Sequence, residues 1–238
     1  TALAGRRLVR AELRWPTLAG ADLVGRTVLH TRPYGKHLLT RLDDGRTLHS
    51  HLRMDGMWRV VPTGTPRASG RSPRVRALLA DERSTALGIE LGMLDLVRTA
   101  TEHELVGHLG PDLLDDTFEE GGLAEGLDRW RARGSAPTCD VLLDQQVVAG
   151  IGTIYLAETL FVERVHPWTP ADEVDAAQLL RTARALMLRS VARGPAPSAV
   201  HARAGLPCPR CGATVRRDAA RRPPYERPVF WCAVCQAA

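Results

Sequence analysis

Lysine is almost absent from this 238-residue chain: of its 32 basic residues, all but Lys36 are arginine. A GC-rich coding sequence accounts for the bias as a whole, but not for where the one lysine survives. Arginine keeps its proton throughout the physiological range, whereas a lysine amine can be tuned to lose it, so position 36 merits a functional reading. No run of eighteen apolar residues exists, and no segment is expected to span a membrane. The stretch Thr1 to Arg10 lacks the apolar core of a signal peptide, which points to the cytoplasm. Internal repeats are absent too. What is present is a 44% hydrophobic fraction, enough to bury a core, and a formal net charge of +5. That charge, with a pI near 9.3, suits a polyanionic partner.

Cysteine carries the sharpest local signal. Four of the five cysteines form Cys208-x2-Cys211-x20-Cys232-x2-Cys235 near the C-terminus. Two CxxC pairs at this separation can set four thiolates at the corners of a tetrahedron, the pattern of a closed structural zinc site. Two disulfides are the alternative, disfavoured by the missing export signal. The fifth, Cys139, precedes an apolar stretch and reads as an ordinary buried thiol.

The patterning splits the chain. Strand-compatible runs occupy Thr27–His30, Leu38–Leu42, Thr47–Leu52, Met57–Val61, Val75–Leu79 and Ala86–Val97, with Asp43-Asp44-Gly45 as a hairpin turn. Pro62 to Pro73 reads as a loop. After His108-Leu109-Gly110-Pro111 the period turns helical: Leu123–Arg133, then a helix opened by Pro137 and running to about Gln145, then Tyr155–Phe161. A last long helix is expected from about Asp172 to Arg193, with Leu179, Leu180, Ala183, Leu186, Met187 and Val191 on one face. The expected fold class is α+β: an N-terminal antiparallel β-sandwich (1–107), a helical domain (108–200) and a C-terminal metal-pinned β-hairpin (201–238).

Five segments together resemble one family. Leu142 to Glu158, containing Gly150-Ile151-Gly152-Thr153, is similar to the helix-two-turn-helix signature of the Fpg/endonuclease VIII DNA glycosylases. Glycines in a turn at a helix N-terminus let backbone amides approach a phosphate. The family has asparagine where this chain has Thr153, whose hydroxyl has a shorter reach. His201 to Cys208, with Arg203, and Arg227-Pro228-Val229-Phe230-Trp231-Cys232 resemble the family's zinc-finger β-hairpin. Tyr34 to Leu39 resembles its Gly-Lys strand motif, and Ser50 to Val61 its His-Leu-x-Met-x-Gly hairpin.

The resemblance implies a bifunctional DNA glycosylase and AP lyase acting as a monomer on double-stranded DNA that holds an oxidised base or abasic site. The enzyme would associate with the nucleoid and carry one structural Zn2+. Lys36 is the expected catalytic residue. Met54 would be the apolar wedge that fills the gap left by a flipped base. Gly152, Thr153, Arg203 and Arg227 would bind DNA, with Arg216, Arg217, Arg221 and Arg222 as an added basic stripe. The Trp58-Arg59-Val60-Val61 continuation, and the lack of an Asp-Pro-Arg-Arg-Phe segment, lean towards the endonuclease VIII branch and oxidised pyrimidines.

One expected element is missing. The family attacks the sugar with the secondary amine of an N-terminal proline followed by glutamate. No Pro-Glu dipeptide occurs here, and Thr1 to Leu8 resembles the end of the family's first helix. A preceding segment carrying that amine is therefore expected. The rival readings are a binder of damaged DNA that has lost its nucleophile, a substitute amine at Thr1 or Lys36, and a general zinc-ribbon module.

Overall fold

The computed structural model describes residues 2–221 and 224–237, so Thr1 and Arg222, both named above, lie outside the described residues. The chain forms two compact units, Thr1–Gly107 and His108–Ala238.

The first unit is two antiparallel sheets. Its strands are β1 (Arg6–Arg7), β2 (Arg10–Leu13), β3 (Thr27–Tyr34), β4 (His37–Leu42), β5 (Arg46–His51), β6 (Met57–Pro62), β7 (Val75–Ala80), β8 (Ser84–Ile89) and β9 (Met93–Arg98). They order as β1-β3-β4-β5-β9 in one sheet and β2-β7-β8-β6 in the other. Between β1 and β2 the chain passes from one sheet to the other, and Leu8 is buried at that crossing. It joins Val28, Leu42, Leu48, Leu79 and Leu94 in the sandwich core, each such burial contributing about 1.5–3 kcal/mol. The Ala86–Val97 run is two strands rather than one, broken at Glu90, which takes a left-handed φ of 48°. The apolar period continues through that turn because Leu91 remains in the core, so pattern alone hides the break. The Pro62–Pro73 segment is largely irregular but does cover something. Its Ala68 packs with Val61, Val75, Leu78, Ala80 and Leu87 on the outer side of the four-stranded sheet.

The second unit opens after a short turn of helix, α1 (His103–Val106), and comprises α2 (Leu123–Arg131), α3 (Thr138–Leu143), α4 (Thr153–Glu163), α5 (Ala176–Arg193) and the hairpin β10 (Val215–Ala220) with β11 (Arg227–Cys232). α5 starts four residues later than the pattern suggests: Asp175 caps it by accepting from the Gln178 amide at 2.9 Å, and 171–173 is a separate short turn. Val191 is exposed although it lies on the apolar stripe, because the last turn of α5 runs beyond its packing partners. α4 is apolar nearly all round, as suits a helix covered on two sides. Leu156 and Leu160 pack with Leu179 and Leu180 of α5, while Ala157 and Phe161 pack with Val215 and Phe230 of the hairpin. Gly110 supports α4 indirectly. A Cβ there would lie 2.4 Å from the Val147 carbonyl oxygen, so only glycine lets the two backbones approach.

Candidate nucleic-acid interface and metal centre

In the first unit, β4 and β5 pair with His37 opposite His51. Lys36 immediately precedes His37, and the turn Leu52–Gly56 immediately follows His51, so both loops leave the sheet at the same end. Burial pulls the His51 pKa below its ordinary value, and neighbouring Lys36, His49 and Arg53 lower it further. Two cationic side chains, Lys36 and Arg53, thus bear on one imidazole.

The turn that carries Met54 is pinned. Arg53 takes the left-handed region at φ 55°, rare without glycine, and donates its amide to His51 Nδ1 at 2.9 Å. The Gly56 amide donates to the Leu52 carbonyl at 3.1 Å, so close that a Cβ on Gly56 would lie 2.4 Å from that oxygen. The result leaves Met54 91% exposed. Single exposed apolar side chains are common on protein surfaces. This one differs because the backbone beneath it is held in a strained shape, which favours a role outside the core.

Sequence reasoning gave no role to four neighbours. His49 is almost wholly buried; its Nδ1 lies 2.9 Å from Asp95 Oδ2 and its Nε2 2.8 Å from His37 Nδ1. The His37 and His49 rings stack at 5.0 Å, and His51 meets His37 edge-on at 4.9 Å. The period-2 placement of His49 and His51 was visible, but the register that brings Asp95 opposite His49 was not.

In the second unit, α3, the turn 144–152 and α4 form the helix-two-turn-helix. Gln145 braces the turn: its amide donates to the Leu143 and Ile151 carbonyls at 3.0 Å each, and its oxygen accepts from Gly150 N at 3.0 Å. Gly152 caps α4 in extended backbone, φ −121° and ψ −177°, which any residue adopts; the unusual dihedral belongs to Gly150, at φ 116°. No side chain caps α4 and no acid occupies its first turn, so its N-terminal amides suit an anion. Thr153 Oγ1 lies 3.5 Å from His201 Nε2. Burial lowers the His201 pKa, against a smaller opposing effect of Glu158. That glutamate, inside the recognised motif yet given no role by sequence, accepts from the backbone amides of Ala199, Val200 and His201 at 2.8–3.1 Å. It clamps the strap into the finger onto α4.

Arg203 donates from Nη2 to the Pro207 carbonyl, and its Nε is buried without a partner. Arg227 is exposed at the start of β11 and donates to the Glu226 carbonyl at 2.9 Å. Arg216 and Arg217 are exposed on β10. Arg221 leaves the expected basic stripe: its guanidinium donates to the Leu143 carbonyl at 2.7 Å and its amide to Asp140 at 2.9 Å. It ties the hairpin to α3 instead of facing solvent.

The sulfurs of Cys208, Cys211, Cys232 and Cys235 all lie within 4.8 Å of one another, and none is in a disulfide. Cys208–Cys235 is 3.9 Å and Cys211–Cys232 is 3.4 Å, close to the separation of about 3.8 Å that a tetrahedron of 2.3 Å metal–sulfur bonds requires. The donor set therefore fits a metal ion. Cys139 is different: burial pushes its thiol up to about 12, so it stays protonated and inert.

The comparisons agree with this geometry. Residues 2–88 match the formamidopyrimidine-DNA glycosylase N-terminal domain, and residues 109–200 match the formamidopyrimidine-DNA glycosylase H2TH domain. A probable endonuclease 8 2 of Streptomyces coelicolor is 42% identical, over 99% of this chain and 88% of its own length. The DNA-(apurinic or apyrimidinic site) lyase Nei2 of Mycolicibacterium smegmatis is 34% identical over 100% and 93%. The formamidopyrimidine DNA glycosylase of Lactococcus lactis, solved with DNA containing an AP site, superposes with a TM-score of 0.81 at 23% identity, over 99% and 94% of the two chains. Among the described residues, no helix is long and apolar enough to cross a membrane. The chain belongs to the formamidopyrimidine-DNA glycosylase/endonuclease VIII family, on its endonuclease VIII side.

Proposed function

We propose that the protein is a base-excision DNA glycosylase with AP lyase activity, removing oxidised bases, pyrimidines in preference, from double-stranded DNA. The observation that carries this reading is Met54, 91% exposed on a pinned turn at the Lys36 end of the sheet. An apolar side chain presented to water from a pinned turn is suited to enter a base stack and offset the few kcal/mol lost when a nucleotide is flipped out. Lys36 places a compact charge and a tunable amine at the same edge. The first-turn amides at Gly152 and Thr153, with the exposed Arg227, supply phosphate contacts, and Arg203 shapes the strap that leads into the finger. One zinc ion held by the four cysteines would fix the hairpin that presents Arg227, a structural duty with no part in the chemistry.

The reaction needs an amine nucleophile, which the family carries on an N-terminal proline. A secondary amine there would form an iminium with the sugar C1′ as the base leaves, and elimination would then nick the strand.

Borohydride trapping on DNA with an oxidised pyrimidine, using protein expressed from its natural start codon, tests this. The expected adduct maps to the N-terminal peptide. An adduct on Lys36 would reassign the nucleophile. The lyase reading falls if neither the lesion nor a preformed abasic site is trapped while binding persists.

A further inference from the structure

The four-stranded sheet has an outer face, and the 62–73 loop covers only part of it. Ala68 packs there with Val61, Leu78 and Leu87. Beside it lies a cavity of about 260 Å³, floored by Val75, Leu87 and Ile89 and rimmed by Arg59, Arg67, Arg71 and Arg74. No aspartate or glutamate lines it. Arginines elsewhere in the sandwich are compensated. A larger cavity of about 510 Å³, lined by Arg6, Arg7 and Arg83, also holds Asp81 and Glu82, and Arg6 lies 3.6 Å from Asp81.

The arginines around the loop divide into two sets. Arg10 and Arg14 hold its backbone: Arg14 Nη1 donates to the Gly70 carbonyl at 2.6 Å, and Arg10 Nη2 to the Ser69 carbonyl at 3.2 Å. Gly70, at φ 66°, presses against Leu78 so closely that a Cβ would lie 2.5 Å from Leu78 Cδ1. The loop is therefore fixed. Arg67 and Arg71, carried on it, are exposed, and among the described residues their guanidinium groups make no hydrogen bond or ion pair. Arg59 reaches only the Met57 sulfur, at 3.9 Å. Arg74 is paired with Glu90, on which Arg76 also bears, and Asp55 acts on Arg74. Five arginines against two carboxylates leave the patch positive, and cations gathered in one concavity repel one another until an anion arrives. Planar guanidinium forks match phosphate oxygens in pairs.

Strand register says where the patch lies. Met57 pairs with Ile89, and Ile89 with Val75, so the cavity floor sits where β6 and β7 begin. Met57 follows Met54 by three residues, which puts the patch at the Met54 end of the sheet. From β6 across β8 to β7 is about 10 Å, or about three base-pair rises along a duplex.

We propose that Arg59, Arg67 and Arg71 form a second phosphate-binding surface, which grips the backbone of the bound duplex to one side of the damaged nucleotide. It senses neither sequence nor lesion, because guanidinium–phosphate contacts carry no base information. The choice of duplex DNA as its occupant rests on the function proposed above.

Anisotropy titrations of the full-length protein across a range of salt concentrations test this, on duplex with a tetrahydrofuran abasic analogue and on undamaged duplex. Arg59→Gln/Arg67→Gln/Arg71→Gln keeps polar side chains and removes the charges. The slope of log Kd against log salt falls by about 2–3, close to 0.9 per phosphate contact, and Kd weakens at least about tenfold at low salt. The loss is equal on both duplexes, and Tm is unchanged. Phosphate-ethylation interference on the abasic duplex loses a run of sites on one side of the lesion and keeps those at the lesion itself. An unchanged slope overturns the surface. So does a lower slope with an unchanged interference map, which would assign the effect to the general positive field. Equal affinity of the wild type for abasic and undamaged duplex would instead sink the glycosylase reading, while the slope on undamaged duplex still decides the surface.

Discussion

The two units satisfy their backbones in different ways. In the sandwich, nine strands pair with one another, and the ladders consume most of the polar backbone atoms. Side chains on its outer face are therefore available for ion pairs and for the histidine chain. The helical unit has long irregular stretches, 144–152 and 194–214, whose amides and carbonyls no ladder can serve. There Gln145, Glu158, Arg221 and Gln236 bond directly to backbone. Buried backbone polar groups must be paired by something, so these side chains serve the long loops of the second unit, as Arg14, Arg46 and Asp81 serve the shorter ones of the first.

The comparison can be broken most forcefully at the cysteines. Cys208→Ser, or removal of the metal by a chelator, should release the hairpin and cut DNA affinity by at least about a hundredfold, since metal binding supplies roughly 10 kcal/mol of folding energy in such modules. Peptide-resolved hydrogen exchange should show lost protection in 201–237 and none in 2–107. Equal loss in both would mean that the units are not independent. Next in size is Glu158→Ala, which strands three amides and should cost about 3 kcal/mol by denaturant unfolding. Glu158→Gln, keeping one acceptor oxygen, should recover part of it. If the alanine variant is as stable as wild type, the clamp is not structural.

Met54→Ala is the opposite case. At 91% exposure it should change stability by less than about 0.5 kcal/mol yet lower lesion excision by about tenfold or more. A variant as active as wild type would remove Met54 from the interface.

Acid should act in two stages, histidines first and carboxylates second. His166 and His201 in the second unit and His51 in the first have pKa values lowered mainly by burial. A lowered histidine binds its proton more readily unfolded, so these groups reduce stability as pH falls below about 6.5. Glu12, Asp44, Glu90 and Glu102, all in the first unit, are held low by paired arginines. Their contribution is present at neutral pH and is lost as pH falls from about 4.5, and it is modest because most are partly exposed. Exchange protection should therefore weaken around His51, His166 and His201 before it weakens around the arginine-paired carboxylates of the first unit. The smallest effect expected is from Thr153→Asn, a few-fold tighter DNA binding through a longer reach; unchanged Kd would reject that.

Much of the fold was legible because its signals are local. Period-2 runs marked most of the strands, and the change of period after His108 falls where the compact units divide. The exceptions have local reasons as well: the turn at Glu90 kept its apolar period, and the start of α5 was set by the Asp175 cap. In the site, Lys36 and the cysteines stood out by rarity and spacing. The histidine chain did not, because strand register joins residues 37, 49 and 95, and Arg221 looked like one more surface cation until its partners were known.

Spacing and periodicity, which are properties of the chain alone, were enough for the family, the four-cysteine cluster and the broad α+β order. Tertiary structure decided which polar residues are structural and which remain available. Hydrogen bonding of buried backbone, and the meeting of side chains across strands, depend on neighbours that are distant in sequence and close only after folding.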